Sequence, residues 1–139
     1  MKIVYAHRTQ GQSVEGVHIR GMCQGFEQLG HETEVVGPKS SGTRPLGPEK
    51  PGVLTSLARL VSAHAPELLF ELMEIAYDAF SARKIGLALD KRPVDLVYER
   101  YAFFGGAASR AARRRSIPLI LEMNYPTTSS LVRRRSTLL

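Results

Sequence analysis

Short apolar runs alternate with stretches of helical periodicity near the start of the chain. The apolar run Lys2–Ala6 is bounded by polar residues and predicts a buried strand. Apolar side chains then recur at helical spacing as far as Leu29, and Gly30 follows where a helix would end. The alternating segment Glu32–Val36 predicts a second strand, parallel to the first. The apolar positions of the intervening helix are Val14, Val17, Met22, Phe26 and Leu29.

The second half of the chain predicts three more helices and two more strands. Helical stretches over residues 53–64 and 66–90 come first, and the apolar stripe of the second is expected to pack on the sheet. Strands are predicted at Val94–Tyr98 and Pro118–Glu122, with a helix at Phe103–Arg115 between them. This alternation predicts an α/β fold with a doubly wound, Rossmann-like parallel sheet. The stripe consists of Leu68, Leu72, Ile75, Ala76, Ala79 and Phe80.

The composition is that of an ordinary soluble domain in a reducing compartment. The chain has 139 residues, of which 43% are hydrophobic and 23% charged. A single Cys excludes an internal disulfide framework. We expect a cytoplasmic location, because neither a signal peptide nor an apolar run long enough to cross a bilayer is present in the sequence.

The net charge of +6 is concentrated in one part of the chain. Residues 1–91 carry ten Lys or Arg and ten acids, whereas residues 92–139 carry nine Arg and three acids. The clusters Arg113–Arg115 and Arg133–Arg135 are interpreted as a solvated helix face and a basic tail. The alternative is attraction to anionic lipid, which would place the protein peripherally at the inner face of a membrane. Nucleic acid is not expected as a partner, because no recognition motif accompanies the arginines.

Polar segments directly follow three of the predicted strands. They are residues 7–12, 99–101 and 124–126. Ligands of open parallel sheets bind beyond the carboxyl ends of the strands, where these segments would meet. Polar side chains have little role in core packing at such positions, so the sequence predicts a binding site in one cleft at this edge.

The first of these segments favours an anion but carries none of the common nucleotide motifs. Gly11 lets the backbone approach a ligand near a helix N-terminus, where a phosphate or carboxylate is favoured. The motifs G-x-G-x-x-G and G-x-x-x-x-G-K-[ST] are absent from the sequence, which argues against a dinucleotide dehydrogenase and a P-loop NTPase. The four His are dispersed and no D-x-D triplet occurs, so neither a metal nor another cofactor is predicted. His18 is either a partly buried histidine bonded to the backbone or a ligand contact, and Cys23 is interpreted as a small hydrophobe.

Four segments, taken in order, carry a family resemblance. The stretches Arg8–Met22 and Leu29–Pro38, which contain R-T-Q-G-Q-S and L-G-H-E, are followed by D-L-V-Y-E-R-Y at Asp95–Tyr101 and P-L-I-L-E-M-N-Y-P at Pro118–Pro126. They resemble the opening of family 4 glycosyltransferases of the GT-B fold, and the match covers nearly the whole chain except the variable region 40–92. The resemblance implies a two-domain enzyme that transfers a sugar, with retention, from a nucleotide-diphosphate sugar. It also implies that the N-terminal domain binds the acceptor, a sugar or a lipid-linked molecule, and that no metal is required.

The resemblance also implies roles for individual residues. Gly11 and Gln12 would lie near the donor diphosphate. Relatives place a His near the end of the fourth strand at the reaction centre, whereas this chain has Glu122, Met123 and Asn124 there. No catalytic residue is therefore assigned, and Asn124, the one candidate, could position a hydroxyl but is a poor base. The acceptor-side residues implied are His7, Arg8, Gln10, Glu15, His18, Glu99, Arg100, Tyr101 and Asn124.

Relatives continue with further strands and a donor-binding domain. We therefore expect residues 1–139 to be a partial, incomplete N-terminal half of a GT-B fold that lacks its C-terminal donor domain. Expected partners are that missing domain and a second copy of the chain, paired through an open strand edge at Pro118–Glu122. The chain alone is expected not to transfer sugar from a radioactive nucleotide-sugar donor. The alternatives are a non-catalytic α/β binding or scaffolding module and a basic membrane-surface or nucleic-acid binder.

Overall fold

A computed structural model describes residues 1–9, 14–38, 67–102 and 105–123, with the backbone alone at 67–70. Strands and helices alternate along these residues, as the sequence predicts. The strands are β1 (Lys2–Ala6), β2 (Glu32–Val36), β3 (Leu96–Arg100) and β4 (Leu119–Glu122), and the helices are α1 (Val14–Gln28), α2 (Glu67–Lys91) and α3 (Ala107–Arg114).

The four strands form one parallel sheet in the order β2-β1-β3-β4. In the register, Ile3 of β1 lies opposite Thr33 of β2 and Leu96 of β3. The strand β2 lies on one side of β1, and the chain then crosses to β3, which lies on the other side of β1. The direction of winding therefore reverses between β1 and β3, which makes this the topological switch point of the sheet. The predicted α/β fold is confirmed.

Helices cover both faces of the sheet. Tyr5 of β1 packs with Ile19 and Cys23 of α1 on one face. Val4 and its neighbours pack against α2 and α3 on the other face, because successive strand residues point to opposite sides. In α3 the buried residues are all small, which lets this helix lie close to its neighbours. They are Ala107, Ala108, Ala111 and Ala112.

The end of α1 follows the sequence prediction. Gly30 adopts the left-handed backbone conformation with φ of 80°. The N–H of Gly30 donates to the carbonyl of Glu27, and the N–H of His31 donates to that of Phe26. This pair of bonds is the Schellman arrangement, which satisfies carbonyl groups that the last turn leaves without partners.

Two predicted elements have wrong boundaries. The third strand is Leu96–Arg100 rather than Val94–Tyr98. Before it, the Asp95 carboxylate accepts a hydrogen bond of 2.6 Å from the backbone N–H of Lys2, so this N–H is not available to a strand carbonyl. The helix predicted from Phe103 is observed from Ala107, after two glycines that disfavour helix. The helix predicted over residues 53–64 lies outside the described residues.

The apolar face predicted for α1 is only partly buried. Val14, Val17 and Leu29 are exposed, whereas Ile19 and Cys23 are buried. The helix is therefore rotated from the predicted orientation, and its narrow stripe of buried residues includes Gly16. The small residues Gly16 and Cys23 on this stripe escape an analysis that counts only large apolar side chains.

The part of the stripe predicted to pack α2 on the sheet whose side chains are described, from Leu72 to Phe80, is exposed. Leu72 is 50% exposed, and Ile75 and Phe80 are exposed to a similar extent. In the same part of the helix the buried residues are acids, Glu71 and Asp78. Asp78 has charged and backbone partners on neighbouring elements, so polar contacts and not hydrophobicity set the orientation of this half of α2. Among the described helices, including the long α2, none is long and apolar enough to cross a membrane.

Candidate functional site

A cleft opens at the carboxyl ends of β1 and β3, beside the switch point. Together with the open solvent at its mouth, the space in it is about 380 Å³. The apolar part of its wall comes from Ala6, Val36, Ile85 and Ala107. This is the position at which open parallel sheets bind their ligands. The polar side chains that line it are His7, Arg8, Tyr77, Asp78, Ser81, Lys84, Glu99 and Arg100.

Four residues predicted from the sequence meet in this cleft. They are His7 and Arg8, which follow β1, and Glu99 and Arg100, which end β3. The two pairs lie more than 90 positions apart in the chain, and parallel pairing of β1 with β3 brings them together.

The other predicted residues are placed differently. Glu15 lies in the first turn of α1, and Tyr101 donates its backbone N–H to the carbonyl of Glu122. Neither residue belongs to the described lining of the cleft. His18 reaches the site through a contact with Glu122. The remaining predicted residues lie outside the described part of the chain, and they are Gln10, Gly11, Gln12 and Asn124.

His7 is a buried imidazole in the wall of the cleft. Its side chain lies against Gly37, and only 5% of the residue is exposed. Burial, with a smaller contribution from the Arg100 charge, lowers the pKa of His7 below its usual value of 6.5. Its Nε2 makes no hydrogen bond to the described residues. His7 is therefore a neutral ring with one nitrogen whose hydrogen-bonding capacity is unused within this part of the chain.

Arg8 is held by α2. Its guanidinium donates to the carboxylate of Glu74 at 2.7 Å and to the backbone carbonyl of the same residue at 3.1 Å. The group also lies over the ring of Tyr77, with 4.9 Å between Cζ and the ring centroid. These contacts fix one wall of the cleft to the end of β1.

Two carboxylates meet the N-terminus of α3. Asp78 accepts hydrogen bonds from the backbone N–H groups of Gly106 and Ala107 at 3.0 and 3.1 Å, and it also pairs with Arg110. The Glu99 carboxylate faces the next two N–H groups of the helix, those of Ala108 and Ser109, which act to lower its pKa. Burial, followed by the nearby Asp78 charge, raises the pKa of Glu99. The N–H groups that could bind a phosphate at this helix end are thus already occupied by the protein.

Glu122 at the end of β4 joins residues from three elements on the α1 side of the sheet. Its Oε1 accepts from Arg100 at 3.0 Å and lies 2.9 Å from His18 Nε2, and its Oε2 accepts from the Tyr5 hydroxyl at 3.2 Å. Burial and the Glu122 charge raise the pKa of Tyr5, so the phenol remains a donor. His18 thus bonds a carboxylate, and neither interpretation of this residue from the sequence included that contact.

Sequence reasoning did not select Glu122 as a site residue. The available signal was its position, since it ends the fourth predicted strand two positions before one of the three polar segments. Its interaction with Tyr5 spans 117 positions in the chain, so no local pattern reveals it.

The described residues contain neither a reactive thiol nor a metal-binding cluster. Cys23 is buried, and burial raises the pKa of its thiol, which confirms its interpretation as a small hydrophobe. No group of three or more His, Cys, Asp or Glu side chains in this part of the chain is placed to hold a metal ion. The chemistry of the cleft rests on hydrogen bonds and paired charges.

Comparison with known proteins agrees with this geometry. The sequence profile of Glycosyltransferase Family 4 matches residues 16–135. No curated protein and no solved structure matches the chain. The profile spans most of the chain, including α1 and the strands β2 to β4. The chain therefore belongs to Glycosyltransferase Family 4 and has a role of the glycosyltransferase type.

Proposed function

We propose that this chain forms the acceptor-binding side of a retaining, GT-B-type glycosyltransferase that uses a nucleotide-diphosphate sugar. Family membership supports the sugar-transfer class. The observation that carries the proposal is that His7, Arg8, Glu99 and Arg100 line one cleft at the topological switch point.

The cleft suits hydroxyl groups because it offers donors and acceptors that are already held in place. Arg8 and Arg100 are each fixed by a carboxylate, and His7 is fixed by burial. A hydroxyl both donates and accepts, so it can bond a guanidinium and a carboxylate at once. Groups oriented in advance lose little freedom on binding, which favours the geometry required for transfer.

The donor diphosphate requires a different surface. The N-terminus of α3 is occupied by the carboxylates of Asp78 and Glu99, so it is unsuited to a phosphate. We place the diphosphate near Gly11 and Gln12, at the start of α1, together with a donor-binding domain. Cationic side chains and N–H groups there would stabilise the departing diphosphate.

Acceptor binding is tested directly by calorimetric titration with monosaccharides, disaccharides and a short-chain lipid-linked sugar. We expect at least one of them to bind, and Arg100→Gln to weaken that binding by about tenfold, because a charged hydrogen bond is lost. Glu32→Gln is the matched control, since Glu32 is exposed and starts β2 at the opposite end of the sheet. Equal weakening by both variants, or no saccharide binding, would contradict the acceptor assignment.

Transfer and stereochemistry are tested with the protein purified from the cells that make it. Radiolabelled nucleotide-diphosphate sugars are supplied with the saccharide that binds, and the anomeric configuration of the product is read by NMR. Transfer with retained configuration is expected from a preparation that includes the donor-binding domain, whereas residues 1–139 alone are expected to transfer none. A product of inverted configuration, or transfer that does not require a nucleotide-diphosphate donor, would contradict the mechanism.

A further inference from the structure

The cations around the cleft are matched by carboxylates. Arg8 pairs with Glu74, and Arg100 pairs with Glu122 at 3.0 Å. A further pair joins Arg110 and Asp78. With Lys84 and Glu99 included, the cleft and its immediate partners carry four cations and four carboxylates.

The pair formed by Arg100 and Glu122 is largely shielded from solvent. Their side chains are 12% and 13% exposed. Water screens such a pair weakly, so the negative charge of Glu122 cancels much of the field that Arg100 would otherwise present to an anion. The same carboxylate holds His18 at 2.9 Å, on the α1 side of the sheet.

This balance distinguishes an uncharged ligand from an anionic one. A phosphate that approaches Arg100 would be repelled by Glu122 at close range, because a carboxylate only accepts hydrogen bonds. A sugar hydroxyl meets no such repulsion, since it can accept from the guanidinium and donate to the carboxylate.

We infer that Glu122 is a positioning residue that sets acceptor specificity. By neutralising Arg100 and holding His18, it makes the cleft select an uncharged, hydroxyl-rich acceptor over a phosphorylated one. That the ligand of the cleft is an acceptor rests on the proposed function, whereas the effect of Glu122 on anion binding does not.

The test measures inorganic phosphate binding by calorimetry in the wild type and in Glu122→Gln. We expect the variant to bind phosphate about tenfold more tightly, because the charge that opposes the anion is gone while an oxygen that accepts hydrogen bonds remains. Glu122→Asp, which keeps the charge, should bind phosphate as weakly as the wild type. Glu32→Gln removes the same charge from an exposed position and should also leave binding unchanged.

The gain should depend on Arg100. The double variant Arg100→Gln with Glu122→Gln is expected to return to the weak binding of the wild type. A loss of structure would not produce tighter binding, so the gain separates positioning from a purely structural role. Unchanged phosphate affinity in a folded Glu122→Gln variant, or an equal gain in Glu32→Gln, would overturn the inference.

A second measurement uses the wild type alone and does not depend on how the variants fold. Glucose and glucose 6-phosphate are titrated in parallel, and the phosphate is expected to add no affinity. Tighter binding of the phosphorylated sugar by about tenfold or more would overturn the inference and leave the acceptor role intact. If saccharides fail to bind while Glu122→Gln still gains phosphate, the proposed function fails and the role of Glu122 stands.

Discussion

At the scale of single residues, the site depends on a close fit between His7 and Gly37. A Cβ atom added to Gly37 would lie 2.5 Å from Cε1 of the His7 ring, which is closer than real contacts allow. The ring is buried and sits in the cleft wall, so it has little room to move. Glycine at position 37 therefore lets the chain at the end of β2 lie directly against the imidazole.

Gly37→Ala is expected to destabilise the protein by about 1–3 kcal/mol, because the ring and the backbone must shift to relieve the overlap. Chemical denaturation measures the change. Gly21→Ala is the control, since nothing lies within 4 Å of the added atom and alanine favours the helix by up to about 1 kcal/mol. A Gly37 variant as stable as the wild type would show that the contact imposes no constraint.

At the scale of elements, the start of α3 depends on an acid from another helix. Asp78 of α2 accepts the N–H groups of Gly106 and Ala107, so it caps α3 across 28 positions of sequence. The local cap residue is Gly106, which has no side chain that could accept these hydrogen bonds. This tertiary cap ties α2 to α3 and explains why Asp78 faces inward in this half of α2.

Asp78→Ala should destabilise the protein by about 2–4 kcal/mol, because it leaves buried N–H groups without an acceptor. Thermal and chemical unfolding provide the measurement. Asp90→Ala is the matched control, since Asp90 lies on the same helix and pairs with Arg115 at an exposed position. We expect a much smaller change for this control, and similar losses in the two variants would refute the tertiary cap.

At the scale of the whole molecule, the described sheet ends at β4. This strand pairs with β3 on one side, and within the described residues no strand pairs with its other side. Ile120 and Leu121 are 48% and 42% exposed. A parallel sheet with an apolar strand at its edge offers backbone groups to another chain. Self-association through this edge remains a prediction from the sequence.

We predict that the purified chain associates as its concentration rises and that Leu121→Lys reduces this association, because a charge at a strand edge opposes pairing. Light scattering over a concentration series measures both. Leu72→Lys makes the same substitution on the exposed face of α2 and should have little effect. A monodisperse monomer at high concentration, or a larger effect of the α2 variant, would argue against the β4 edge.

The sequence by itself determined the fold class, the strand β2 and the end of α1. These features follow from local causes, namely side-chain periodicity and the left-handed conformation of Gly30. It also located four cleft residues, because parallel strands place their carboxyl ends at one edge. The tertiary structure alone decided the inward face of α2 and the grouping of Tyr5, His18 and Arg100 on Glu122. Both features depend on residues that meet only after folding. Their energies come from burial and paired charges, and local sequence patterns do not reveal either.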